Sequence, residues 1–363
     1  VDHNDRLKFI SNFTGSFGFS IIFKNNNYLF VDGRYSLQAN NQCGKFFKIV
    51  TFPNKMPVNI FKNKKLTIGF DPKLFTSRSL KTFFNKTNCE FKPLYKNLID
   101  KIWSRKIKKN KNKFFVLPKS SVEIDYRTKL NKVVSYLKKK GCDFQFISAS
   151  ENNAWLLNIR GNDTEYSPIP HTYILINRKK KIKLFCDLKK ISNIFKNKLK
   201  NIEFHEINSI SQILTTINNK KFLIDKNTCS FYFEKLILKN NKIINDQDPI
   251  YNFKAIKNQR EIENMKLAHI YDGSALTKYL FWIKKNFKKK VITELSGSQK
   301  LYQFRKVNKK FKFSSFPTIS GTGPNGAIIH YKATKYSNRK LKDGDIYLVD
   351  SGGQYEYGTT DVT

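Results

Sequence analysis

A weak internal duplication constrains this chain more than any other feature. Phe9-Ile-Ser-Asn-Phe-Thr-Gly15, two strand-like runs and Phe30-Val-Asp32 recur as Trp155-Leu-Leu-Asn-Ile-Arg-Gly161, two strand-like runs and Phe185-Cys-Asp187. Solenoid repeats have periods of roughly 20–50 residues, so copies this far apart are duplicated domains. The 363 residues read as two related α/β blocks and a third, different one. At about 100–200 residues per domain the length suits that division. We expect boundaries of 1–118, 119–248 and 249–363.

In the first block, strands are expected at Phe19–Phe23, Tyr28–Val31 and Leu66–Phe70, with Asn25-Asn-Asn27 as a turn and Asp32-Gly-Arg-Tyr35 closing the hairpin. A helical pattern covers Thr76–Phe84. In the second, Leu130, Val133, Val134 and Leu137 have helical spacing within Arg127–Lys140, which ends at Gly141. Phe144–Ile147 is a strand, and Thr172–Ile176 with Ile182–Cys186 is a hairpin. The third opens on Asn258-Gln-Arg-Glu261, a capping box. A long helix follows, with Ile262, Met265, Ala268, Leu276, Tyr279 and Ile283 on or near one face. A second helix runs from Thr293 to about Phe304. Strands are then expected at Thr318-Ile319, Ala327–His330, Ile346–Val349 and Thr359–Thr363.

Lys and Arg total 68 against 28 Asp and Glu, a formal charge of +40. Excess positive charge can neutralise phosphates. The densest cluster, Arg105, Lys106, Lys108, Lys109, Lys111 and Lys113, has no interleaved aromatic to stack bases. Lys, Asn, Ile and Phe are abundant together, as A/T-rich codons would make them, so the reading disfavours nucleic acid as a partner. Five scattered cysteines without paired spacing fit a reducing compartment, and the expected location is the cytoplasm. No apolar run approaches the roughly 18 residues that span a bilayer, so no membrane partner is expected. Residue 1 is Val, and Thr363 ends inside a β-branched run, so the chain reads as a piece of a longer protein.

The charge is most informative where it reverses. After Lys342 there is no Lys or Arg, but there are five acids: Asp343, Asp345, Asp350, Glu356 and Asp361. Asp350 ends one strand and Asp361 sits on the next, after a turn at Glu356-Tyr-Gly358. Adjacent carboxylates repel unless a cation holds them, and hard oxygen donors suit Mn, Mg or Ca, or Zn and Co when His joins. The alternative is an edge strand with solvated Asp residues. His330 follows a glycine-rich loop in an uncharged segment and is either a satisfied core residue or a catalytic one. Gly321-Thr-Gly-Pro-Asn-Gly326 matches a dinucleotide fingerprint literally, but a strand, not a helix, is expected after it, so that reading is rejected. Arg34 either pairs with Asp32 or, if Gly33 gives the turn an unusual backbone, points at an anionic ligand.

The strings Phe316-Pro-Thr-Ile-Ser-Gly-Thr-Gly-Pro-Asn-Gly-Ala-Ile-Ile-His-Tyr331, Tyr347-Leu-Val-Asp-Ser-Gly-Gly-Gln-Tyr355 and Gly358-Thr-Thr-Asp-Val-Thr363 resemble the cytosolic-type Xaa-Pro aminopeptidases, the aminopeptidase P group of peptidase family M24. Lys254–Glu263, Ala154–Gly161 and Phe13 to Tyr35 extend the resemblance over essentially the whole chain. It implies two creatinase-type α/β domains before a pita-bread catalytic domain. It implies two divalent ions, most often manganese, with zinc or cobalt as alternatives. Asp350 and Asp361 match the two Asp ligands, Asp350 binding through both oxygens and Asp361 bridging. His330 matches the catalytic, substrate-side His beside the carbonyl under attack, and Arg34 matches a substrate-binding Arg. The implied substrates are peptides with Pro at position 2, and the implied full-length assembly is a homodimer. One His and two Glu complete the family's ligand set beyond Asp361, and the chain stops two residues later. The fragment alone is therefore expected to be inactive, with an exposed sheet edge and doubtful isolated folding of residues 250–363. The competing readings are a prolidase or creatinase-like enzyme, and a non-catalytic protein on the same fold that binds a protein or nucleic acid.

Overall fold

The structure, a computed structural model, describes residues 5–105 and 110–363. Lys106, Lys108 and Lys109 of the basic cluster, and His3, lie outside the described residues. By packing, the chain divides into two units. The first holds residues up to 116 with 124–163 and 169–256; the second holds 117–123, 164–168 and 257–363.

In the first unit, Gly18–Ile22 and Asn27–Asp32 form the expected antiparallel hairpin, and Lys48–Phe52 joins it in parallel. Alternation sorts the side chains of one strand. Leu29 and Val31 pack with Phe13, Tyr35 and Ala39, whereas Phe30 packs on the opposite face with Ile21, Val50, Phe61 and Phe84. Farther along is a six-stranded sheet, in the order Ile202–Glu206, Ile182–Cys186, Tyr173–Asn177, Phe144–Ile147, Lys221–Ile224, Lys242–Asn245. Helix Tyr126–Lys139 covers one face through Leu130, Val133 and Val134, against Ile174, Ile176 and Leu184. Helices Ile210–Thr215 and Phe231–Leu238 cover the other through Ile210, Leu214 and Ile237, against Leu175 and Phe185. Both faces are apolar, so these strands read as continuous hydrophobic runs.

The duplication is visible in detail. In each copy the hairpin ends on an Asp whose side chain caps a 3-10 turn: Asp32 accepts from the Arg34 N–H, and Asp187 from the Lys189 N–H. A helix follows, Ser36–Cys43 or Asn193–Lys198. Then a strand pairs in parallel with the hairpin's second strand. Asn12 and Asn158, equivalent in the two strings, both adopt left-handed backbone, φ 61° and 54°. Asn tolerates that region better than most side chains.

In the second unit, Asn258 and Glu261 form the capping box and start helix Gln259–Asn286. Of its expected apolar face, Ala268 and Tyr279 are buried, Ile262, Leu276 and Ile283 half-buried, and Met265 exposed. The buried stripe instead takes in Asp272, which faces Arg305 of helix Glu294–Lys306. Two short antiparallel pairs follow: Phe311–Ser314 with Gly353–Tyr355, and Ile319–Thr322 with Tyr347–Asp350.

Two strand expectations fail here. Ala327–His330 is not a strand: a 3-10 helix, Gly323–Ala327, runs into a turn. Pro324 supplies no N–H for a ladder, and Gly323 has φ +55°. The five-residue 3-10 helix still offers no α-helix N-terminus after the glycines, so the dinucleotide reading remains rejected. Thr359–Thr363 pairs only through isolated bridges, Gln354 with Thr359 and Ser351 with Val362. The Thr360 hydroxyl oxygen accepts from the Gly353 N–H, and the Ser315 hydroxyl donates to the Thr360 carbonyl, which breaks the regular ladder.

Candidate metal centre

Asp350 is the last residue of its strand, opposite Ile319. The next residue, Ser351, exchanges both backbone hydrogen bonds with Val362, at 3.0 and 2.9 Å. That bridge returns Asp361, the residue before Val362, to the neighbourhood of Asp350. Gly352 makes the approach possible, because a Cβ there would lie 1.9 Å from the Thr360 carbonyl oxygen. The two carboxylates feel each other. Burial raises the Asp350 pKa above its ordinary value and the Asp361 charge adds to this, while hydrogen bonding to Thr363 and the charge of His330 pull it down.

One atom points to a missing partner. Asp350 Oδ1 is buried and accepts no hydrogen bond. An unsatisfied carboxylate oxygen beside a second carboxylate is costly unless a cation occupies the space. The donor set therefore fits a hard divalent ion. Among the described residues, no group of three or more His, Cys, Asp and Glu side chains gathers as a cage. The structure thus brings Asp350 and Asp361 together, with His330 near enough to influence Asp350.

His330 sits in the turn after the 3-10 helix with φ 54°, in left-handed backbone. For a non-glycine residue this costs about 1–3 kcal/mol and persists only where surroundings impose it. Gly321 opens the loop, because a Cβ there would meet Asn325 backbone at 2.9 Å.

Behind Asp350 lies a buried network that sequence reading missed. The Arg305 guanidinium, 1% exposed, donates to both oxygens of Asp272, 0% exposed, at 2.6 and 3.0 Å. It also donates to Ser351 Oγ at 3.0 Å, and the Tyr355 hydroxyl donates to Asp272 Oδ1 at 2.8 Å. The network pins the chain immediately after Asp350. Glu294, also fully buried, does the same for the His330 loop. In the sequence both acids read as ordinary helix-surface charges.

Arg34 belongs to the other unit. Its guanidinium holds Asp32 through Nε at 3.0 Å and through a second nitrogen at 2.6 Å, and lies 5.4 Å from the Tyr35 ring centroid. Gly33 has no positive φ, so the unusual backbone that argued for an outward-pointing Arg is absent and the Asp32 pairing is what forms. The Arg34 side chain nonetheless keeps 47% of its surface exposed.

Residues 1–102 and 105–261 each match the family described as creatinase/prolidase N-terminal domain, and residues 263–363 match metallopeptidase family M24. The Xaa-Pro aminopeptidase ApepP of Drosophila melanogaster is 34% identical over 380 residues, covering 99% of this chain and 61% of the relative. A probable Xaa-Pro aminopeptidase P of Laccaria bicolor is 35% identical, covering 99% and 58%. Among solved structures, the X-prolyl aminopeptidase of Caenorhabditis elegans, described as a cytosolic enzyme with a di-nuclear active site, superposes with a TM-score of 0.92 at 26% identity. That match covers 99% of this chain and 62% of that one. The chain spans about three fifths of the length of the relatives it matches.

Proposed function

We propose that the chain is part of a creatinase/prolidase-type metallopeptidase of family M24, whose domain matches run in succession along it, and that the activity is metal-dependent removal of the N-terminal residue from peptides with Pro at position 2. The observation that carries the proposal is the buried, partnerless Asp350 Oδ1 beside Asp361. Asp350 and Asp361 are the residues of this chain that would hold two divalent ions, manganese by preference, with zinc or cobalt as alternatives. Two ions held between carboxylates bring bound water's pKa toward neutrality and polarise a carbonyl.

The chain's own residues have distinct tasks. Asp350, desolvated, is a strong donor to a cation, because water does not compete for its inner oxygen. His330, exposed on the turn after the 3-10 helix, donates a ring N–H to the oxygen that gains charge as the peptide carbonyl is attacked. Arg34, with about half its side-chain surface exposed, is the residue of the N-terminal block inferred to contact the peptide. Proline at position 2 has no N–H, so a site that accepts it needs no acceptor there.

The relatives' similarity supports the aminopeptidase over a prolidase or creatinase. The three-domain division at 118/119 and 248/249, the cytoplasmic location and the full-length homodimer belong to the same proposal. Among the described residues no third His, Cys, Asp or Glu joins Asp350 and Asp361 as a cage, so the 363-residue chain by itself is inferred not to hold both ions. The test is release of the N-terminal residue from an Xaa-Pro tripeptide with added manganese. The full-length protein should cleave it and the 363-residue chain should not. Cleavage by the 363-residue chain overturns the need for further ligands, and inactivity of the full-length protein overturns the activity.

A further inference from the structure

We propose that Glu294 is the positioning residue that holds His330 in its working geometry, an inference that rests on the aminopeptidase reading above. His330 has left-handed backbone, φ 54°, which a non-glycine residue does not keep unaided. The segment that imposes it wraps around one carboxylate. Glu294, the first residue of helix Glu294–Lys306, is 0% exposed. Its Oε1 accepts from the Thr322 N–H at 2.9 Å and from Asn325 Nδ2 at 3.0 Å. Its Oε2 accepts from the Tyr331 hydroxyl at 2.9 Å and the Arg339 N–H at 3.0 Å.

These partners fall on both sides of His330. Thr322 and Asn325 precede it, Tyr331 follows it directly, and Arg339 closes the loop. The backbone of Glu294 adds two more ties: its N–H donates to the Arg339 carbonyl, and its carbonyl accepts from Ser320 Oγ. Four donors thus converge on two oxygens, and only an ionised carboxylate has acceptor sites for all of them. Packing alone would be served by an apolar side chain, which costs no desolvation. A buried charge at this place is explained by the loop it organises. Its position at a helix N-terminus, where the helix dipole favours negative charge, offsets part of that cost.

The consequence is specific. Replacing one oxygen by an NH2 group turns an acceptor into a donor facing the Arg339 N–H or the Asn325 amide. The loop then relaxes and His330 leaves the left-handed region, while Asp350 and Asp361, on other segments, keep their places.

The experiment uses the full-length protein with manganese and an Xaa-Pro tripeptide. Glu294→Gln should lower kcat by about ten- to hundredfold, the usual size of a supporting-residue effect, with KM and bound manganese unchanged. In a His330→Ala background the same substitution should change kcat less than about twofold, because the effect is transmitted through His330. Tyr331→Phe removes one donor without touching the carboxylate and should shift kcat in the same direction; it carries the test if Glu294→Gln does not fold. In the full-length protein, the His330 Cα chemical shift should move from left-handed toward ordinary values in Glu294→Gln, a readout independent of activity. Wild-type inactivity together with that shift would sink the aminopeptidase reading and leave the positioning role standing. An unmoved His330 shift, or a loss that multiplies with that of His330→Ala, overturns the inference.

Discussion

At the scale of single residues, buried charge separates what the sequence reveals from what it hides. Breaking the Asp272–Arg305 pair from one side leaves a buried guanidinium uncompensated, so Asp272→Ala should destabilise the second unit by about 3–5 kcal/mol in urea unfolding. Replacing both partners with apolar residues should cost much less. A second buried acid makes stability pH-dependent. Burial raises the Asp248 pKa above its ordinary value, and the Asp225 charge adds to this, against hydrogen bonds from Asn152, the Ile250 N–H and Gln145. Tyr251, whose hydroxyl donates to Glu151, also feels the Asp248 charge. The folded state therefore binds this proton more tightly than the unfolded one. Its stabilisation is complete below the unfolded value and is lost as pH rises through the folded value. Gln145 Oε1 and Asn152 Oδ1 are buried without partners, ready to accept from a protonated Asp248 after an amide flip. Asp248→Asn can make the same bonds at every pH. The Tm of the wild type should fall relative to Asp248→Asn as pH rises above about 4, the ordinary carboxylate value; parallel Tm profiles would refute this. Asp350 and Asp361 were legible because they break a basic composition. Glu294 and Asp272 were not, since an acid in a helix looks the same whether it faces water or a buried arginine.

At the scale of elements, most local structure was legible because caps and alternation are local signals. Asn258 and Glu261 form the capping box, and Asn258→Ala should cost about 1 kcal/mol, read as a shift in the urea midpoint. The duplication was legible as two weak strings, and the matched left-handed Asn12 and Asn158 give it a physical reason. Asn12→Gly should leave stability within a few tenths of a kcal/mol, whereas Asn12→Val should cost about 1–2 kcal/mol; equal midpoints for the two would contradict a backbone explanation. Of the two misread strands, Ala327–His330 is the more instructive. An apolar run predicts a strand when its backbone is free to pair, but here a carboxylate distant in sequence folds the segment around itself. Period-based reading has no access to that partner.

At the scale of the whole molecule, the +40 charge and the chemistry are separate matters. A basic surface whose densest cluster has no interleaved aromatic should give heparin retention that fades with salt and no preference among defined oligonucleotides. A sequence-selective shift at physiological salt would restore nucleic acid as a partner. The proposed chemistry rests on two carboxylates drawn together where the charge reverses. The most direct test compares full-length wild type with Asp350→Asn on an Xaa-Pro tripeptide in manganese. Losing a ligand that supports several kcal/mol of transition-state stabilisation should lower kcat/KM by at least about a thousandfold. Activity within about tenfold of wild type would contradict the assignment of Asp350 to the metal centre, and with it the account of this chain as an M24 metallopeptidase site.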